Sequence, residues 1–154
     1  MSENEPLLAG LRVLDLCDGD ADAVTRLLAD MGADVLKVEL PGGNTSRSQL
    51  PTLNGMSIPF ALHNANKRAV VLDPALDADR QTLLELAGAA DIVVDSGLPG
   101  RAAVYGTSCE ELADRFGHLV AMGVTDFGST GPYASWRATD PVLYAMCTAL
   151  SRSG

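Results

Sequence analysis

The sequence is poor in cysteine, histidine and positive charge, and each shortage removes a class of function. Three cysteines and two histidines stand among 154 residues. Cys17, Cys109 and Cys147 are odd in number, far apart and form no C-x-x-C pair, which argues against a disulfide framework or a zinc site. Cys17 and Cys147 sit among apolar neighbours and read as small core hydrophobes. His63 and His118 lack metal-ligand spacing, so no metal is expected. Lys and Arg number 11 against 20 Asp and Glu, a net charge of −9. Free nucleic acid, which needs a clustered positive surface, is therefore not an expected partner. No apolar run approaches the roughly 18–20 residues that cross a bilayer, so no membrane partner is expected. The acidic start Met1-Ser2-Glu3-Asn4-Glu5 has no apolar stretch behind it and reads as part of a flexible tail over residues 1–6. A reducing, cytoplasmic setting is expected. Also missing are a strict G-x-G-x-x-G after the first strand, a G-x-x-x-x-G-K-[ST] loop and a G-x-S-x-G elbow.

What is present alternates. Short β-type runs fall at 11–16, 34–38, 69–72, 91–94 and 119–124, and helical spacing falls at 22–31, 77–89, 108–116 and 140–151. Asp20 or Asp22 is placed to cap the first helix, Gly32 to end it, Ser108 to open a capping box, and Asp140-Pro141 to start the last helix. The strands are mostly continuous apolar runs, as buried parallel strands are. The fold class is α/β: a doubly wound, mainly parallel, Rossmann-like sheet in one domain over residues 7–154. Residues 40–60 show no clear period and read as a long irregular connection.

From chemistry alone, one stretch stands out. Asn64-Ala65-Asn66-Lys67-Arg68 puts two amides and two cations before a strand. It fits a ligand's polar edge and phosphate, but chemistry alone slightly favours a solvated strand entry. Two glycine-rich loops, at 96–100 and 127–133, complete the features of interest.

Taken in order, these segments resemble the family III CoA-transferases. The resemblance rests on Leu8-Ala9-Gly10-Leu11-Arg12-Val13-Leu14-Asp15-Leu16, on Leu27 through Glu39, and on Pro41-Gly42-Gly43. It continues through Asn64-x-Asn66-Lys67-Arg68 with Leu72-Asp73, Ala90-Asp91-Ile92-Val93-Val94, Pro99-Gly100, and Phe127-Gly128-Ser129-Thr130-Gly131-Pro132-Tyr133 leading to Asp140. This is the group of carnitine–CoA transferase, bile-acid-inducible CoA-transferase, formyl-CoA transferase and α-methylacyl-CoA racemase.

The resemblance implies an enzyme that moves CoA between an acyl-CoA and a carboxylate acceptor as an interlocked homodimer. An aspartate attacks the thioester, and a mixed anhydride and then an aspartyl-CoA thioester carry the transfer. That nucleophile is expected beyond Gly154, so none of these residues is expected to be catalytic and the chain alone is expected to be inactive, as a truncated N-terminal portion. The CoA-binding residues implied are Asn64, Asn66, Lys67, Arg68, Arg47 and Ser96. Departures from the family pattern point to weak CoA binding. Asp18, Asp20 and Asp22 crowd the loop after the first strand, the family's E-N-F-x-P-G reads Asp95-Ser96-Gly97-Leu98-Pro99-Gly100, and Val104 replaces an arginine. Thr139 stands where racemases carry a histidine, which disfavours that chemistry. The alternative reading is a degenerate, non-catalytic half that serves folding or dimerisation.

Overall fold

Continuous apolar runs separated by helical segments leave each strand needing cover on both faces, and the chain meets that need by winding helices on both sides of one sheet. The computed structural model describes residues 5–152. Strand β1 (Arg12–Leu16) leads to helix α1 (Asp22–Asp30) and β2 (Asp34–Glu39). A small hairpin, β3 (Thr52–Leu53) and β4 (Met56–Ser57), precedes α2 (Ile58–Asn64) and β5 (Arg68–Val71). Then come α3 (Asp77–Ala89), β6 (Ile92–Ser96), α4 (Cys109–Arg115), β7 (Val120–Val124) and α5 (Asp140–Met146). The main sheet has the order β5-β2-β1-β6-β7, and every neighbouring pair is parallel. The chain builds outward from β1 to β5 and then returns to place β6 on the other side of β1. The topological switch point therefore lies between β1 and β6.

Side chains alternate across the sheet. Leu14, Leu16, Val38 and Val93 join Leu83 and Ala87 of α3 and Leu112 of α4 in one core. Val13, Cys17, Val35 and Val94 join Ala29 of α1 in the other.

The structure corrects several local expectations. Residues 40–60 contain an Asn54-Gly55 turn with both residues in the left-handed region, joining β3 to β4. They also contain α2, whose amide of Phe60 is capped by the Ser57 hydroxyl. Asp22 does not cap α1: it is the helix's first residue, and Ala21 precedes it without a side-chain cap. Asp18 instead caps the short 3₁₀ turn at Gly19–Ala21. The last helix ends at Met146, and a 3₁₀ turn follows over Ala149–Arg152. Cys147 is exposed rather than a core residue, because α5 contributes no buried side chain.

The chain divides into two compact units, one through Val124 and the other from Thr125. In the second, Trp136 stacks at 4.6 Å from Tyr133 and meets Phe127 edge-on at 6.2 Å, and Asp126 accepts from the Ala138 amide at 2.9 Å.

Candidate functional site: the carboxyl edge of the sheet

In an open parallel sheet, ligands bind in the crevice outside the carboxyl ends of the strands. Here that edge is built from charged residues which interrupt otherwise apolar rows. On the α1 face, β1 presents Val13, Asp15 and Cys17, and β2 presents Val35, Lys37 and Glu39. Asp15 and Lys37 are register partners on neighbouring strands. Their side chains are 0% and 1% exposed.

Two carboxylates and two ammonium groups are buried together. Lys37 Nζ donates to Asp22 Oδ1 at 2.7 Å and to the Cys17 carbonyl at 2.7 Å, with Asp15 Oδ2 at 3.6 Å. Lys67 Nζ donates to Asp15 Oδ2 at 2.9 Å, the Asp22 carbonyl at 2.8 Å and Asn64 Oδ1 at 2.9 Å. The quartet is formally neutral, which is what makes its burial tolerable. Asp22 is the hub: besides Lys37, it accepts from Asn44 at 3.4 Å and Asn64 at 3.0 Å, with the Ser46 hydroxyl at 3.1 Å. Thus one carboxylate at the start of α1 fastens β2, the loop after β2, and α2. Thr25 completes the set by donating to Asp15 at 2.7 Å. Burial pulls the Lys67 ammonium below its ordinary pKa, and attraction to Asp15 opposes that pull.

A second layer lies outside the first. Arg47 grips Glu39 through two contacts of 2.6 Å, and its guanidinium stacks over the Phe60 ring with 4.0 Å to the centroid. The Arg47 side chain is half exposed while that of Glu39 is buried. This pairing holds the Glu39 carboxyl below its usual range, chiefly through the hydrogen bond from Arg47. Near the end of β6, Asp95 accepts from the amides of Ser96, Arg101 and Ala102 at 2.8, 2.6 and 3.0 Å. Burial still pushes its carboxyl up, against those three bonds. Glycine is required at 100 while the Asp95 carboxylate keeps this position, since a Cβ there would stand 2.1 Å from Asp95 Oδ2.

The residues singled out from sequence are thus dispersed. Lys67 has all three ammonium protons committed inside the protein, and its side chain is 1% exposed. Asn64 belongs to the same network. Asn66 donates to Asp30 at 2.7 Å. Arg68 opens β5 at the opposite, amino edge and pairs with Asp34 at 2.6 Å. Arg47 and Ser96 stand at the carboxyl edge, where the Ser96 hydroxyl accepts from the Asp18 amide at 2.9 Å. Asp15, Asp22, Lys37 and Arg101 were not anticipated as members of one site. For Asp15 and Lys37 the signal was the presence of opposite charges inside two buried strands; Asp22 and Arg101, outside the strands, carried no such signal.

Cys17 and Cys109 are poor nucleophiles. Burial, then the neighbouring Asp15, pushes the Cys17 thiol up, and burial raises Cys109 to about 11. No group of three or more His, Cys, Asp or Glu suited to a metal occurs among the described residues. Nor, among them, is any helix long and apolar enough to cross a membrane. A cleft of about 180 Å³ at the amino edge is rimmed by Arg12, Asp34 and Arg68 over Leu36, Leu86 and Ala90. Its two cations are already paired with acids.

Comparison with known proteins bears on this geometry directly. The sequence model of CoA-transferase family III matches residues 8–154. The chain is 66% identical over 146 residues to the Mycobacterium tuberculosis protein named "Probable CoA-transferase Rv1866", covering 92% of this chain and 18% of that one. It is 34% identical over 149 residues to formyl-CoA:oxalate CoA-transferase of Streptomyces avermitilis, covering 96% of this chain and 36% of the relative. The crystal structure of Rv3272 from M. tuberculosis superimposes with a TM-score of 0.81 at 32% identity, over 94% of this chain and 41% of the other. A CaiB/BaiF family protein from Brucella suis matches with a TM-score of 0.81 at 31% identity, over 92% of this chain and 39% of the other. The chain spans well under half the length of these relatives. With the family's motifs in order along one parallel sheet, and a family match over 8–154, the chain belongs to the family III CoA-transferases.

Proposed function

We propose that these residues form the N-terminal, CoA-facing part of an acyl-CoA:carboxylate CoA-transferase whose nucleophilic aspartate lies outside them. The observation that carries this reading is the family match over residues 8–154. In the proposed cycle the aspartate attacks the thioester carbonyl, releasing CoA thiolate and forming a mixed anhydride. The thiolate attacks the enzyme-side carbonyl, expelling the first carboxylate and leaving an aspartyl-CoA thioester. The acceptor carboxylate then repeats both steps in reverse, regenerating the aspartate. The enzyme is proposed to work in the cytoplasm as a homodimer, without a metal.

Within this reading, residues 8–124 position rather than react. Arg47 and Ser96 are proposed to meet CoA at the carboxyl edge. Asn64 and Lys67 stand behind, holding α2 and the loops against β1. Arg68, paired with Asp34 at the amino edge, and Asn66, paired with Asp30, stand apart from that surface, so any contact they make with CoA is proposed to lie away from Arg47 and Ser96. The degenerate, non-catalytic reading draws support from one feature: cations at this edge are already engaged by the chain's own acids.

The test uses the chain with several acyl-CoA donors and carboxylate acceptors. CoA should bind at roughly 0.1–1 mM, about 4–5 kcal/mol, and more weakly as salt screens its phosphates. Hydroxylamine trapping and intact mass should find no CoA adduct. A covalent CoA adduct on a carboxylate of these residues would overturn the placement of the nucleophile. Absence of saturable CoA binding in the millimolar range would overturn the CoA-facing role.

A further inference from the structure

Three loops leave the carboxyl edge around the switch point, after β1, β2 and β6, and one side chain joins them. Asp18 follows β1. Its Oδ1 accepts from the Gly19 amide at 2.9 Å, the Thr45 amide at 2.9 Å and the Thr45 hydroxyl at 2.8 Å. Its Oδ2 is paired with the guanidinium of Arg101, from the loop after β6. The Asp18 amide in turn donates to Ser96. Two backbone N–H groups, a hydroxyl and a guanidinium thus converge on one carboxylate.

That donor set is the kind that cradles a phosphoryl group: backbone amides, a hydroxyl and a planar charged fork. Its position at the crossing between β1 and β6 is where a doubly wound sheet binds ligands. Asp18 differs from the acids below it. Asp15 and Asp22 are wholly buried, whereas the Asp18 side chain is 20% exposed and Arg101 is 18% exposed. Rotation about its own side-chain bonds can therefore carry the Asp18 carboxylate into solvent without opening the core. Asp20, exposed two residues on, would repel an incoming anion and adds to the closed state's advantage.

We infer that Asp18 is an internal stand-in for a phosphate-class anion. The Gly19 and Thr45 amides, the Thr45 hydroxyl and Arg101 form the cradle, and Asp18 occupies it until a ligand's phosphoryl group displaces it. The inference rests on the acyl-CoA reading only for the identity of the natural ligand, whose diphosphate is the matching chemistry. An internal competitor lowers apparent affinity by the fraction of molecules in which the cradle is open.

The experiment titrates inorganic pyrophosphate, and separately CoA, into the chain and its Asp18→Ala, Arg101→Ala and doubly substituted variants. Folding of each is checked by thermal melting and amide spectra. Asp18→Ala should bind pyrophosphate at least about tenfold more tightly than the wild type, with shifts at the Gly19 and Thr45 amides. The double variant should lose that gain. Unchanged or weaker binding by folded Asp18→Ala, or a gain that survives loss of Arg101, overturns the inference. If Asp18→Ala does not fold, the near-isosteric Asp18→Asn carries the test, with a smaller gain expected and no gain overturning the idea. A gain for pyrophosphate without one for CoA upholds the cradle and counts against the acyl-CoA reading alone.

Discussion

The two edges of the main sheet use the same residue types to different ends. At the amino edge, Arg12 pairs with Asp91 at 3.2 Å and Arg68 with Asp34 at 2.6 Å. Each pair ties neighbouring strands, and each is largely open to water. At the carboxyl edge, Asp15, Asp22, Lys37 and Lys67 are sealed from solvent and share partners. Water already solvates the first group, so removing a partner strands little. In the second group every charge depends on the others, because no water replaces a lost contact. Burial, not the count of ion pairs, decides what each edge contributes.

The sharpest test of that contrast is Lys37→Met. It leaves the Asp22 carboxylate without its cation and the Cys17 carbonyl with only the longer bond from Asn44, and should cost about 3–5 kcal/mol in urea denaturation. A cost under about 1 kcal/mol would show that the buried quartet relaxes easily, and the contrast would fail.

Glu39 lies between the two extremes, with Arg47 half exposed above it. Its carboxyl is held below 4.5 in the folded chain. The folded state then binds fewer protons than the unfolded state in that window, so the contribution is complete above pH 4.5 and fades as pH falls through the folded value. Glu39→Gln should lower stability by about 1 kcal/mol at neutral pH. Its stability curve should converge on that of the wild type below pH 4.5. Asp95 shifts in the opposite direction, but it is common to both proteins and drops out of the difference. Parallel curves across pH 3–6 would remove Glu39 from the charged framework.

The smallest effect belongs to the amino edge. Arg68→Ala should change stability by no more than about 0.5 kcal/mol in the same denaturation assay. A loss matching Lys37→Met would abolish the distinction between the edges.

Much of this fold was legible because buried parallel strands announce themselves as apolar runs. The segments 11–16, 34–38, 69–72, 91–94 and 119–124 correspond to β1, β2, β5, β6 and β7 within about two residues. The region 40–60 was opaque to hydrophobic period, yet it held two local signals. Asn54-Gly55 is the dipeptide that a two-residue hairpin turn requires, and Ser57 with Pro59 marks a helix start. The charged framework was harder to foresee. Asp22 has the sequence position of a helix cap, but long-range donors from Lys37, Asn44 and Asn64 claim its carboxylate instead. Lys67 and Arg68 are adjacent in sequence and divide between opposite roles, one sealed inside and one in water. Sequence proximity says nothing about that division, because Lys67, just before β5, is drawn inward by Asp15, Asn64 and the Asp22 carbonyl, whereas Arg68 opens the strand beside Asp34.

Gly100 carries a consequence for how this loop can vary. The space its missing side chain would fill belongs to the Asp95 carboxylate, which the amides on both flanks hold in place. Neither position can drift by itself. A side chain at 100 requires a shorter residue at 95, and loss of the acid at 95 leaves three amides seeking another acceptor. What position 100 can hold is therefore set by the residue at 95. A mutational library that samples them independently would discard nearly every change at 100 while retaining the paired replacements.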